Sequence, residues 1–398
     1  MTAGHREYPP FVSYAIATLM SVSMLALQAT LPFKLQTLGA GLDSVGFLFT
    51  CTSFCYVLAG LFLSWISHHV GPRRVMLATL AVCGGTAVLL PSASALWQVY
   101  VLASGYLVAV CLFWAAMEHA STGLHTHLTL IQSTACFSAA FSLGNALGQM
   151  TSSLLQSQTV ALPFFVSAGL TLVIMALTWL TVSPAAGFQR STPADIAAFP
   201  ESSRQRLHRS LWAARTGLVG TYGMYALVCF FLPRYLWEHR GFSKLLAGSL
   251  AAVTLVTMCL TFALHGFGKR WPHRLWVVRV GPVVATVGAL LTGLATTVPV
   301  IVAGAVILGV AAASNYAHHL YYSLEEPGKR ARNAGIHEAT VGLAFMLPPA
   351  LGGLAARFTQ APESIFWAGA LFAGLMVIIQ TITMAAGNKR PVSTAPAA

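Results

Sequence analysis

Apolar stretches separated by short polar segments fill this chain, near residues 11–33, 44–67, 74–92, 96–118, 131–155, 161–183, 211–233, 244–267, 277–297, 299–323, 334–356 and 364–386. A helix needs about 20 apolar residues to cross ~30 Å of hydrocarbon, and each stretch is about that long. Helices satisfy their backbone hydrogen bonds within one span, so segments this long and this apolar predict helices rather than barrel strands. Internal prolines such as Pro91, Pro163 and the Pro348–Pro349 pair fit, because membrane helices tolerate them. The expectation is an all-α integral membrane protein with 12 transmembrane helices.

Composition agrees: 56% of residues are hydrophobic and 8% charged, against about 25% charged in a soluble domain. The few charges are sorted by side. With the N-terminus inside, only Lys34, Arg234, Arg240, Lys244 and Arg357 of the 22 Lys and Arg fall outside. The positive-inside rule then predicts that both termini are cytoplasmic, in a bacterial-type inner (plasma) membrane. Topology and anionic headgroups account for the net charge of +12 without a nucleic-acid partner. The seven cysteines all fall within spans, with no metal-ligand or disulfide spacing, and read as small buried hydrophobes. The first span is too long for a signal-peptide core and no cleavage site follows it, so it is expected to stay.

Residues 184–210 interrupt the pattern with Pro184, Pro193, Pro200 and a basic run ending near Arg209. They read as a cytoplasmic linker between a six-helix bundle at 1–183 and a second at 211–398, which ends in a short cytoplasmic tail. A shift of 200 residues relates the halves. Met24, Ala26 and Leu27 fall on Met224, Ala226 and Leu227, and Gly71-Pro72-Arg73-Arg74 falls on Trp271-Pro272-His273-Arg274. Apolar identities come cheaply in this composition, whereas the Pro-x-Arg match in equivalent loops does not. Two pseudo-symmetric six-helix bundles related in parallel form a transporter architecture.

In this the chain resembles the major facilitator superfamily over nearly its whole length. That family's loop between spans 2 and 3 reads G-x-L-x-D-R-x-G-R-R. Here Gly71, Arg73 and Arg74 match, while His68 and His69 replace the Asp-Arg. Spans 5 and 11 resemble its G-P-x-x-G-G element, as Gly148-Gln149-x-x-Ser152-Ser153 and Pro348-Pro349-x-x-Gly352-Gly353. The resemblance implies a cavity lined by spans 1, 4, 7 and 10. It implies a cytoplasmic gate in which His68, Gly71, Arg73 and Arg74 meet His337 and Glu338 at the start of span 11. It also implies close helix packing at Gly144, Gly148, Pro348, Pro349, Gly352 and Gly353.

Of ten acidic residues, only Glu118 and Glu338 lie at or inside the membrane edge, where a carboxylate costs a few kcal/mol unless paired or wetted. Glu338 lies in the first turns of its helix, where the dipole favours an acid, which suits a structural or gate role. Glu118 ends its helix, against the dipole, and the 200-residue shift sets Glu118-His119 on His318-His319. Glu118, His318 and His319 are therefore the expected proton-coupling groups, since such a set titrates near neutral pH. A polar stripe in a membrane helix faces protein or water, so Asn315, Tyr316, His319 and Tyr322 of span 10 are expected at the substrate. Gln28, Trp114, Tyr222 and Tyr225 of spans 1, 4 and 7 join them. No Lys or Arg sits mid-span to balance an anionic substrate. An aromatic pocket favours neutral, amphipathic or cationic organic molecules.

His119, His125 and His127 lack the convergence of a metal site. No Walker loop, nucleophile elbow or dinucleotide fingerprint occurs, so neither a cofactor nor ATP-driven pumping is expected. The expected protein is a monomeric, non-enzymatic secondary transporter of a small organic solute, working by alternating access. A proton gradient or the substrate gradient itself drives it, and the apolar cavity favours efflux. The alternatives are a polytopic membrane enzyme, which lacks a recognisable catalytic spacing, and a transport-inactive sensor or scaffold, which the eroded loop motif keeps open.

Overall fold

The computed structural model describes residues 10–122, 128–182, 199–268 and 271–388. Its regular structure is helical throughout those residues. Six helices form the first half: α1 (Pro10–Gln28), α2 (Leu42–His69), α3 (Pro72–Leu89), α4 (Leu96–Thr122), α5 (Leu130–Gln156) and α6 (Leu162–Thr181). A short helix, Leu31–Thr37, follows α1. The second half holds α7 (Glu201–Arg240), α8 (Lys244–Phe267), α9 (Leu275–Leu294), α10 (Val298–Glu325), α11 (Arg330–Thr359) and α12 (Ser364–Asn388). From α2 onward, each helix start recurs 200 residues later to within three positions.

Packing repeats as the helices do. In the first half α1 lies on α5 and α6, α3 on α4 and α6, and α2 on α4. In the second half α7 lies on α11 and α12, α9 on α10 and α12, and α8 on α10. The halves meet along two equivalent seams, α2 against α11 and α5 against α8. Glycine makes such approaches possible by leaving out the side chain. A Cβ on Gly46 would meet Gly353 Cα at 2.9 Å, and one on Gly60 would meet Gly335 O at 3.0 Å. Within the halves, Gly144 and Gly148 lie against the α1 backbone at Thr18 and Val22, and Gly352 against Leu227 and Ile365. Gly353 faces Gly46 and Asp43, the Pro348 ring packs on Gly223, and the Pro349 carbonyl lies at Gly46.

Eleven helices are long and apolar enough to cross a membrane, among the described residues. The exception, α5, is long enough but buries a polar stripe: Thr134, Ser138, Ser142, Asn145, Gln149 and Ser152. Spaced three or four apart, these residues share one face. That face is turned into the protein. Ser152 pairs with Thr30 at 2.9 Å, and Gly248 of α8 sits directly on Ser153. Large apolar side chains such as Phe62, Leu180, Leu264, Phe267 and Leu371 are exposed instead. Polar inside and apolar outside is the distribution of a multi-pass membrane protein.

One boundary differs from the sequence expectation. Helix α7 starts at Glu201, so residues 201–210 are helical rather than linker. Pro200 is extended at the N-cap and Glu201 lies in the first turn, where an acid complements the dipole. Leu207, Leu211 and Ala214 give this basic segment an apolar face, which packs on Val278 and Tyr322. Residues 183–198 lie outside the described ones.

The close approaches make a prediction. Gly148→Leu would drive a side chain into the α1 backbone, where Val22 O lies 2.6 Å from the position a Cβ would take, and overpacking of this kind costs about 1–3 kcal/mol. Gly85→Leu, with nothing within 4 Å, should cost little. Thermal unfolding in detergent should show a lower midpoint for the first substitution only.

Candidate functional site: a cavity between the two bundles

Helix α7 is the centre of the molecule: 94% of its membrane window is buried, against at most 61% in the other spans. Tyr222, Tyr225 and Cys229, three and four residues apart, form one of its faces and line an internal cavity. Helical spacing of three or four recurs on the other walls. Leu107, Val110 and Trp114 come from α4, Phe137, Phe141 and Asn145 from α5, and Glu338, Val341 and Phe345 from α11. Gln28 of α1, Tyr56 of α2, Phe230 of α7 and Tyr316 of α10 complete the polar and aromatic contributors. The cavity holds about 660 Å³ of empty space, part of it continuous with solvent.

Half of its lining residues are aromatic. Tyr222 stacks on Tyr316 (5.2 Å between centroids, 22° between planes) and on Phe345 (5.9 Å, 11°). Across the seam, Phe141 lies parallel to Tyr316 at 6.4 Å and 6°, and Trp114 meets Phe141 edge-on at 5.1 Å. Three buried polar atoms on these walls have no hydrogen-bond partner among the described residues: Trp114 Nε1, Asn145 Oδ1 and the Tyr222 hydroxyl oxygen. Buried polar groups are normally paired, so these three atoms are candidate contacts for a bound molecule.

Among the described residues, Glu338 is the one acidic side chain on the cavity wall, and no Lys or Arg lines it. It is 3% exposed and accepts a hydrogen bond from the Tyr56 hydroxyl of the other half. Next to it, His337 meets Tyr316 edge-on at 4.9 Å and shares a proton with His319, Nδ1 to Nδ1 at 2.7 Å. One of these nitrogens must donate and the other accept.

Of the residues expected at the substrate, Gln28, Trp114, Tyr222, Tyr225 and Tyr316 line the cavity. Asn315, His319 and Tyr322 do not, because α10 is packed on by α7, α8, α9 and α11 and its polar groups meet protein. Asn315 lies against Gly217 and Gly281, Tyr322 donates to Pro272 O, and His319 stacks against His337. His318 is likewise away from the cavity. Its ring nitrogens lie at Ser314 O (2.6 Å) and Trp271 O (2.9 Å), which ties the loop after α8 to α10.

Of the expected gate, the Glu338 carboxylate is bonded at Tyr56, twelve residues from His68 along α2, or ~18 Å of helical rise. His337 is buried with His319. Arg73 donates to Trp179 O at 2.8 Å and lies 4.4 Å over the Trp179 ring, joining α3 to α6 within one half. Gly71 is the extended N-cap of α3, and Arg74 is exposed. The side chains of His68, Glu118 and His119, and residues His125 and His127, lie outside the described residues.

Sequence reasoning passed over Tyr56, Phe141, Asn145 and Phe345. The three- and four-residue rhythm of polar positions in α5 is the signal that exposes Asn145. It also missed the latch at the end opposite the termini. There Arg234 donates to Ala40 O (2.8 Å), Pro32 O (3.3 Å) and Gly41 O (3.4 Å), and pairs with Glu238 at 2.9 Å. Phe33 packs on Trp237 (5.7 Å), over which Lys244 sits at 4.5 Å.

A duplicated helical bundle around a seam cavity is thus in place, and the sequence matches the profile of the Major Facilitator Superfamily over residues 11–325. The chain belongs to this superfamily. Solved structures agree in fold. The nucleoside transporter NupG has 12% identity and a TM-score of 0.70, with 96% of this chain and 99% of that one covered. A bacterial homologue of the human lysosomal transporter Spinster, inward-facing and occupied, has 14% identity and a TM-score of 0.66, with 96% of each chain covered. The human organic anion transporter MFSD10 has 16% identity and a TM-score of 0.62, with 94% and 97% covered. At these identities the likeness is one of fold. A search of curated proteins found no match.

The latch of this superfamily member can be tested through Cys229, a native cavity residue. In a variant retaining only that cysteine, Arg234→Ala should speed labelling by an impermeant maleimide about tenfold, since hydrogen bonds to charged groups are worth about 1.5–3 kcal/mol. An unchanged rate would show that the Arg234 contacts do not hold that end closed.

Proposed function

We propose that this superfamily member is a secondary transporter that exchanges a small organic solute for protons by alternating access, as a monomer with both termini in the cytoplasm. The fold supports secondary transport of small solutes. The observation that carries the finer reading is one buried carboxylate, Glu338, facing a cavity built from both halves. In hydrocarbon a carboxylate is retained for a function when it faces a cavity. Tyr56 binds it from the opposite half, so its protonation state bears directly on how the halves hold together. A solute and a proton that compete for this group would be exchanged. With an acidic exterior, exchange means extrusion of the solute.

Glu338 takes the coupling role that the sequence suggested for Glu118. The organic anions for which MFSD10 is named are not carried over to this chain, because no cationic side chain lines this cavity among the described residues. The charge bias of the loops supports the orientation.

Flux in reconstituted vesicles tests this. Glu338→Gln should reduce pH-gradient-driven movement to the level of protein-free vesicles while solute–solute exchange continues, and Glu118→Gln should keep both. Gradient-driven flux surviving in Glu338→Gln would remove Glu338 from coupling; its loss in Glu118→Gln alone would restore the sequence expectation.

A further inference from the structure

The polar atoms left open in the cavity and the orientation of its rings describe a ligand more narrowly than "organic solute". We propose that the transported molecule is a flat heteroaromatic compound, neutral or cationic, with at least one hydrogen-bond acceptor and one donor on its edge. This deepens the transport reading above and rests on it.

The rings supply the shape. Phe141 from the first half and Tyr316 from the second are parallel to within 6°, with centroids 6.4 Å apart. The same molecule shows what a closed stack between the halves looks like: Phe49 and Phe230 lie 3.6 Å apart at 3°. A flat molecule lying against these parallel faces would touch both bundles at once, with ring contacts of ~3.5 Å. A saturated ring, thicker and puckered, would lie less closely on the same faces.

The open atoms supply the edge chemistry. Trp114 Nε1 can only donate, so it calls for an acceptor; Asn145 Oδ1 can only accept, so it calls for a donor. The Tyr222 hydroxyl takes either. All three residues are at most 3% exposed, so each unpaired atom carries a desolvation cost that a matching ligand removes. Charge supplies the last restriction. Glu338 is the charged side chain on the wall, so an anion would meet repulsion with no counter-charge, whereas a cation or a neutral N–H donor would not.

Three small probes of similar size separate these terms: nicotinamide, its saturated counterpart cyclohexanecarboxamide, and the anion nicotinate. Binding to purified full-length protein is measured by calorimetry, and flux in vesicles, with quinoline-3-carboxamide as a larger flat probe. Nicotinamide or the quinoline should bind at least tenfold more tightly than the other two. Trp114→Phe, which keeps a ring and removes the N–H, should weaken that binding about tenfold, and Phe141→Leu should erase the preference for flat over saturated rings. Equal binding of the saturated probe, preference for the anion, no binding of either flat probe, or indifference to both substitutions would overturn the proposal. Vesicle flux keeps the two readings apart. Movement of a non-aromatic solute without flat-ring binding leaves transport standing and sinks this inference, whereas flat-ring binding without flux of any probe keeps the ligand class and overturns transport of it.

Discussion

Close contact between helix backbones is the constraint on which the rest of this protein depends. Lipid tails are as apolar as leucine, so helices in a membrane gain little from hiding apolar surface from lipid and are held by packing and by polar groups. The seams α2–α11 and α5–α8 meet that requirement with Gly46 against Gly353, Gly60 against Gly335 and Gly248 against Ser153. Small residues at these points let the two bundles approach closely along both seams, and the cavity lies between them.

Many polar groups buried in the molecule are paired, and those left open are spread over it, the cavity wall included. Away from the cavity, Ser23 bonds Ser167 and Thr171, Thr30 bonds Ser152, Gln380 bonds Ala213 O and Arg234 takes three carbonyls. On the cavity wall Trp114, Asn145 and Tyr222 keep open atoms. Open buried atoms also occur away from the cavity, at Ser138, Gln149, Asn315 and His319 among others, so it is their place on the wall of a void shared by both halves that makes these three candidate contacts for a solute.

Much of the fold was legible because it rests on length and repetition. Twenty apolar residues must be a helix in hydrocarbon, and a 200-residue echo must be a repeat. Side-chain direction was harder. Span 10 shows why: Asn315, His318, His319 and Tyr322 are as polar as any group in the chain, yet packing from several neighbours turns them all into protein contacts. Periodicity states that a stripe faces something; it does not distinguish a neighbouring helix from a void. Glu338 is a related case. Its place near a helix start explains a carboxylate by the dipole alone, and its contact with Tyr56 of another bundle is not written in the sequence pattern. Arg234 was visible as a charge outside the membrane bias, but its acceptors are backbone carbonyls, which no sequence pattern marks.

The repeat also explains how one scaffold yields an asymmetric site. Three pairs of positions related by the 200-residue shift line the cavity from both halves: Leu25 with Tyr225, Phe141 with Val341, and Asn145 with Phe345. The backbone therefore offers equivalent places around a pseudo-twofold axis, and the residues at those places differ in kind. Where one half presents a ring, its counterpart presents an aliphatic chain or an amide. Glu338 corresponds to Ser138, which is buried but does not line the void, so the charge exists on one side only. An ordered, directional grip on a solute needs unlike groups on opposing walls, whereas a rocking motion needs like backbones beneath them. Duplication supplies the second requirement and side-chain divergence the first, so the cavity lies where the two meet.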